Sequence, residues 1–443
     1  MNTVELVTKC GTLKGLDLED HQEFLGIKYA NAGRWEYPEV VTSWDGILDA
    51  TYFKDCSYQH RGFDDDATVN PFYHFEFRDG LEFTYSEDCQ YLNIYAPKQA
   101  ENCPVFVYIH GGSFTGGSSN EAQIDGSHFA KNGIIFVSLN YRLNAYGFCS
   151  HPDLTDEQGR CGNFGLYDQV EALRWIKDNI AAFGGNPNQI TLSGQSAGAM
   201  SVDIHLSNPL CKGWFSGAVM MSGAGMQRFL AKPLLPEKTR AFWDKIIENA
   251  GCKDIFELKA ADKEMLYRAW NKACKEDYKM MSMLYTLPVC DGTIITKEGF
   301  NKHTIPELPK LFGVTKNDMV PLVLQKIDKK WVAADKASPC YIYYFARSLP
   351  GDEKGAWHSS DLLYAFSTLD RNWRPFEDVD YQISDQLAEA FMAFARNGDP
   401  NCNAIPHWEP GAQKVMSFGE TTKEEAWNKK ELLKNTVNGG ASI

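Results

Sequence analysis

The residues best suited to chemistry in this chain lie in Ile190–Ser201, ITLSGQSAGAMS. A β-favouring run gives way to Gly194-Gln195-Ser196-Ala197-Gly198, a serine with a glycine two residues away on either side. At a sharp strand-to-helix turn Ser196 takes strained backbone angles, and side chains at the flanking glycines would collide with the adjoining strand and helix. Such a turn exposes the hydroxyl and aims the Ala197 N–H, with the positive helix end behind it, at any anion formed there. That is a nucleophile's geometry. Small residues that only let a helix pack on a strand are the competing reading of the pentapeptide. A nucleophilic serine also needs further donors and a base. Gly112 and Ser113, in IHGGSF (Ile109–Phe114), follow a predicted strand and offer two more backbone N–H groups. One donor of this kind is worth roughly 3 kcal/mol in a transition state. An ordinary tight turn at Gly111-Gly112 is the alternative.

The elements that must position these residues are legible in the hydrophobic pattern. PVFVYIH (Pro104–His110) and GIIFVSLNY (Gly133–Tyr141) are apolar runs of the length expected for strands buried on both faces. QITLSG, FSGAVMMSG and PCYIYYFA (Pro339–Ala346) read as further strands. In YDQVEALRWIKDNIAAFGG, Val170, Leu173, Ile176 and Ile180 recur at helical spacing and stop at Gly184-Gly185. AGAMSVDIHLS is a second helix, and residues 235–283 are helical, with Phe242, Ile246, Ile247 and Ala250 on one face. A late helix carries Ile383, Leu387, Phe391 and Phe394 and ends at Gly398. Strand and helix alternate, so the expected fold is α/β, a mostly parallel central sheet flanked by helices. The N-terminal part reads as short strands and turns. Residues 61–85 are rich in aromatics without helical period and read as a long surface loop, with Phe63, Phe72, Tyr73, Phe75 and Phe77 as candidates to rim a pocket. With no internal repeat or linker, one domain over residues 1–443 is expected.

Composition narrows the partners. At 44% hydrophobic and 13% aromatic residues the chain can bury a large core. A formal net charge of −14 and the lack of a Lys/Arg cluster exclude a nucleic-acid footprint. No apolar leader and no run of 18 apolar residues is present, so the expectation is a cytoplasmic protein with no membrane partner. The sequence is silent on oligomeric state. Twelve cysteines without a C-x-x-C pair point to buried thiols rather than zinc or a disulfide scaffold, and no cofactor or metal is expected.

SEDCQYLNIYAP, IHGGSFTGGSS, NYRL, GNFGLYDQVEALRWIKDNIAAFGGNPNQITLSGQSAG and GAWHSSDLLYAF together resemble the signature blocks of the type-B carboxylesterases, the α/β-hydrolases that include the cholinesterases. The resemblance runs in consistent order from about Phe24 to Trp408. It implies a carboxylic ester hydrolase acting on short- to medium-acyl esters through an acyl-enzyme, with no cofactor. Ser196 matches the nucleophile; Gly112, Ser113 and Ala197 match the oxyanion donors. His358 in GAWHSSDL matches the base, a role an imidazole fills because it can take the serine proton and return it to the leaving alcohol. Asp318 in LFGVTKNDMV matches the acid, and the order Ser196, Asp318, His358 is that of the fold. Asp291 in PVCDG and Asp361 beside the histidine block are its rivals. Aspartate replaces the commoner glutamate, and only 40 residues separate Asp318 from His358, which implies a deletion and a reduced helical cap within residues 225–335. The resemblance further implies an ion pair of Glu87 with Arg142, a supporting role for Ser222, and a disulfide position at Cys56 and Cys89 that is expected to be reduced here. A non-catalytic binding protein on the same fold, or an amidase or lactonase using the same residues, are the alternatives.

Overall fold

A computed structural model describes residues 2–59, 71–230, 232–276, 286–296, 300 and 305–426. Three N-terminal strands, β1 (Asn2–Thr8), β2 (Gly11–Asp17) and β3 (His21–Lys28), lead into β4 (Tyr91–Pro97), β5 (Cys103–Ile109) and β6 (Ile135–Leu139). They are followed by β7 (Gly185–Gln195), β8 (Gly217–Met221), β9 (Lys310–Thr315), β10 (Cys340–Phe345), β11 (Lys414–Phe418) and β12 (Lys423–Ala426). All join one sheet in the order β1-β2-β3-β4-β6-β5-β7-β8-β9-β10-β11-β12, with the short strand Ile47–Asp49 added beside β2. From β6 to β11 every pairing is parallel, and the flanking pairings are antiparallel except that Ile47–Asp49 runs parallel to β2. The fold is therefore α/β with a mostly parallel central sheet, as expected.

The apolar runs are continuous because each strand feeds two cores. Val105, Val107 and Ile109 of β5 face one, and Phe106 and Tyr108 face the other. Helices α1 (Phe164–Asn179) and α2 (Ala197–Ser207) cover the first core, together with a later helix described below. Three-residue spacing puts Val170, Leu173 and Ile176 of α1 on its buried face. A turn of tighter helix follows, and Gly184 at φ 81° ends it, a conformation a side chain would strain. Helices α3 (Arg240–Ala250) and α4 (Lys263–Glu276) then form a third cluster around Phe242, Trp243, Ile246 and Trp270. A short helix, Ile255–Ala260, lies between them, and the end of the predicted helical region, residues 277–283, lies outside the described residues.

Between β9 and β10 stands a single long helix, α5 (Pro321–Ala334), packed on the first core through Leu324 and Trp331. The short span from Asp318 to His358 thus holds one crossover helix and one strand. Helix α6 (Asp378–Asn397) covers the second core with Ile383, Leu387, Phe391 and Phe394 and stops at Gly398, φ 70°. Glu377 and Asp380 cap its start reciprocally, satisfying N–H groups that the first turn leaves without intrahelical partners.

The expected surface loop differs from what is observed. Phe63 falls outside the described residues, but Pro71–Arg78 is helical and its Glu76 and Phe77 are buried. The reason is tertiary. Arg374 donates to Glu76 at 2.7 Å, joined by Trp373 and Asn372 at 3.0 and 3.1 Å. Phe72 and Phe77 pack against Trp357 at centroid distances of 5.1 and 5.9 Å, so these aromatics anchor the segment rather than simply rim a cavity. Among the described residues no helix is long and apolar enough to cross a membrane.

Candidate active site

Adjacent strands β5, β7, β8 and β9 bring their carboxyl ends together, where open α/β sheets hold their ligands. Ser196 follows directly on β7 with φ 56° and ψ −122°. A conformation so sparsely populated costs on the order of 1–3 kcal/mol and must be held by its surroundings. The Ser196 N–H donates to the Met221 carbonyl at 2.7 Å, and its own carbonyl accepts from Met200 N–H at 3.0 Å. A Cβ on Gly198 would lie 2.0 Å from the Ile109 oxygen, and one on Gly194 would lie 2.4 Å from the Gly198 carbonyl carbon. Both flanking glycines are thus required by contact. In the buried run Thr191–Ala199, Ser196 alone is partly exposed.

The Gly111–Ser113 loop after β5 lies against this turn, for a Cβ on Gly111 would come 3.0 Å from Ser196 Cβ. Gly112 and Ser113 have φ of 108° and 57°. Among the described residues, none accepts a hydrogen bond from the N–H groups of Gly112, Ser113 or Ala197. Uncommitted donors around one serine are what a developing oxyanion requires.

His358 stands on the loop that follows β10. Its Nδ1–H donates to Asp318 Oδ1 at 2.8 Å, and its Nε2 accepts from the Gln195 carboxamide at 3.1 Å. The Asp318 side chain is fully buried; the Met319 N–H and Thr315 hydroxyl donate to it at 2.8 and 3.1 Å. Burial pushes its carboxyl up, but the His358 charge and hydrogen bond, the nearby Ser222 and the Met319 N–H outweigh that and hold it below the usual range. A charged Asp318 fixes the tautomer, with the proton on Nδ1 and a lone pair on Nε2. Ser222 faces the carboxylate without completing a hydrogen bond of its own. Among the described residues, no group of three or more His, Cys, Asp or Glu could hold a metal ion.

Sequence and fold comparisons converge on one family. The model for the Carboxylesterase family matches residues 2–333 and 323–438. A para-nitrobenzyl esterase of Bacillus subtilis is 32% identical over 90% of this chain and 91% of its own length. This chain belongs to the carboxylesterase family. A bile salt-activated lipase of Rattus norvegicus is 35% identical over 95% of this chain and 80% of the relative. A carboxylesterase of Geobacillus stearothermophilus superposes with a TM-score of 0.78 at 27% identity, covering 97% of this chain and 99% of that one. A PNB esterase structure shares the fold at a TM-score of 0.83 and 24% identity, over 98% of this chain and 99% of its own.

Within this carboxylesterase the rival acids have other partners. Asp291 accepts from the Tyr167 hydroxyl at 2.8 Å and the Ile295 N–H at 2.9 Å, which pins a turn. Asp361 accepts from the Tyr343 hydroxyl at 2.7 Å, and burial pushes its carboxyl up to about 6. The expected ion pair needs correction. Arg142 is held by Asp168 through two bonds of 2.7 and 2.8 Å, while Glu87 pairs with Arg34 at 2.8 Å. A fully buried guanidinium needs a buried counter-charge, which Asp168 on α1 supplies and the part-exposed Glu87 does not. Cys56 and Cys89 are both buried and not bridged in the structure.

Two residues at the site were not singled out by the sequence. Gln195 stood inside the serine pentapeptide, but nothing in its type announced a contact with His358. Asn317 precedes Asp318 and locks the histidine loop: its N–H donates to the Ala356 carbonyl, and its Oδ1 accepts from the Ala356 N–H, both at 2.9 Å. Gly355, with φ 71°, makes room for it, since a Cβ there would fall 2.3 Å from Asn317 Oδ1. The only sequence signal was Asn317's place beside Asp318.

Proposed function

We propose that this carboxylesterase hydrolyses short- to medium-acyl carboxylic esters through an acyl-enzyme on Ser196, with His358 as base and Asp318 as its orienting acid. The observation that carries the reading is the 2.8 Å bond from His358 to a buried, ionised Asp318, set beside the strained turn at Ser196. Ser196 Oγ attacks the ester carbonyl while His358 Nε2 takes its proton. The carbonyl oxygen becomes an oxyanion that accepts from the N–H groups of Gly112, Ser113 and Ala197. Collapse expels the alkoxide, which leaves as an alcohol with the proton from His358. Water then attacks the acyl-serine by the same route and frees the acid. Asp318 keeps its charge throughout and stabilises the imidazolium. The described residues form one domain in this proposal, with α3 and α4 as elements of a reduced cap and α5 as a crossover helix of the central sheet.

The B. subtilis relative's name makes p-nitrobenzyl esters a natural first substrate. A panel of p-nitrobenzyl and p-nitrophenyl esters, from acetyl to octanoyl, tests the proposal, with an acetanilide as the amide arm. Expected is turnover highest among the short and medium acyl groups, a phosphonate label on Ser196, and negligible anilide cleavage. Turnover without labelling of Ser196 would overturn the assignment.

A further inference from the structure

Gln195 Nε2 lies 3.1 Å from His358 Nε2, the nitrogen that the proposed mechanism needs for the serine proton. The contact is built in. Gln195 ends β7, is buried, and directly precedes the strained Ser196, so its backbone has little freedom. A Cβ on Gly111 would fall 2.7 Å from Gln195 Oε1 and 2.7 Å from its backbone oxygen. The missing side chain at Gly111 is therefore what leaves room for the carboxamide. Its oxygen end rests toward the oxyanion loop and its nitrogen end reaches the imidazole, so a single neutral group spans the two halves of the site.

We propose that Gln195 is a positioning residue for His358, holding the imidazole in the resting site as a neutral base with its lone pair on Nε2. The inference rests on the hydrolytic reading above. A carboxamide N–H can donate only to an unprotonated Nε2, so the contact selects the same tautomer as Asp318 on the opposite side of the ring. When Ser196 passes its proton to Nε2, a donor faces a donor. The amide must then move aside or turn about its last torsion to present Oε1, which accepts from the imidazolium. Only hydrogen bonds are exchanged. A neutral amide can serve both protonation states of the ring; a carboxylate serves only the cation, and a thioether neither. Two carboxyl groups already act on His358, Asp318 by direct contact and in its charged form and Asp361 by charge from a site where burial favours its proton. A carboxylate at position 195 would therefore add negative charge beside the ring.

The test is the acid limb of the kcat/KM–pH profile for a p-nitrophenyl ester, in the wild type, Gln195→Glu and Gln195→Met. A carboxylate within hydrogen-bond reach favours the imidazolium, so Gln195→Glu should move the limb up by about one pH unit or more. Gln195→Met should leave the limb in place and lower kcat by about tenfold with KM little changed. Phosphonate inactivation rates across pH give the same limb without turnover, and the uncharged Met variant covers the case in which a buried glutamate prevents folding. An unmoved limb in folded Gln195→Glu, or wild-type kcat in Gln195→Met, overturns the proposal. Failure of the phosphonate to label wild-type Ser196 strikes the hydrolytic reading itself, and this inference with it; labelling with an unmoved limb strikes this inference alone.

Discussion

Ser196 owes its exposure to its neighbours, so its removal can be cleanly read. Ser196→Ala deletes one part-exposed oxygen and leaves no core cavity. Ester hydrolysis should fall at least about 10³-fold with an unchanged thermal midpoint, because triad members act as a unit. Retained turnover in that variant would place the nucleophile elsewhere. Asp318→Asn asks a subtler question. An amide can still accept from Nδ1–H, but it neither enforces that tautomer nor stabilises the imidazolium. A loss of roughly 10²- to 10⁴-fold in kcat is expected, with KM little changed. Asp291→Asn and Asp361→Asn, made alongside, should stay within a few-fold of wild type. Collapse of either one with Asp318→Asn intact would move the acid to that residue.

At the scale of elements, the site depends on loops locked to each other rather than on any one strand end. Asn317→Ala removes the acceptor of the Ala356 N–H and loosens the His358 loop from the Asp318 loop. One lost hydrogen bond is worth about 1 kcal/mol of stability. Misplacing the base should cost more, about tenfold in kcat, visible in steady-state kinetics beside a thermal melt that shifts by only a few degrees. Activity falling only in step with folded protein would contradict the positional role. What the sequence revealed at this scale followed from local physics. Val105 to Ile109 could be read as a strand buried twice because both faces are apolar, and α1 and α6 because their apolar residues recur at helical spacing. Pro71–Arg78 escaped because its helicity is imposed by Arg374, Trp373 and Asn372, about three hundred residues along the chain. The partner of Arg142 escaped for the same reason: which carboxylate is buried beside it is a tertiary fact. Ser196, His358 and Asp318 could be selected because their blocks keep family order, whereas Gln195 and Asn317 act through contacts that no residue type advertises.

Across the whole molecule, the carboxyl ends of the parallel strands gather buried acids as well as reactive groups. Asp318, Asp328 and Asp361 are all buried there, yet they are held in opposite senses. Asp318 has His358 and stays below the usual range, while Asp328 and Asp361 are pushed up, chiefly by burial. Asp361 keeps one oxygen on the Tyr343 hydroxyl and leaves the other without a partner, so its neutral form suits the site better. The consequence for stability has a definite sign. The native carboxyl holds its proton up to about 6, whereas the unfolded one releases it near 3.8. Between those values the native state binds more protons, so stability falls as pH rises through this window and does not return above it. The effect amounts to about 3 kcal/mol if the full difference is realised. Self-repulsion from a net charge of −14 also weakens the fold as acids ionise, so wild-type stability against pH would mix both causes. A neutral isostere separates them. Asp361→Asn retains an acceptor for Tyr343 and never ionises, and its effect on net charge is one unit. Its urea midpoint should lie near that of wild type at pH 3.5 and clearly above it at pH 7.5, with the gap opening between about pH 4 and 6. A gap independent of pH would mean that the Asp361 carboxyl is ionised in the folded protein across the whole range, with its charge compensated by its surroundings.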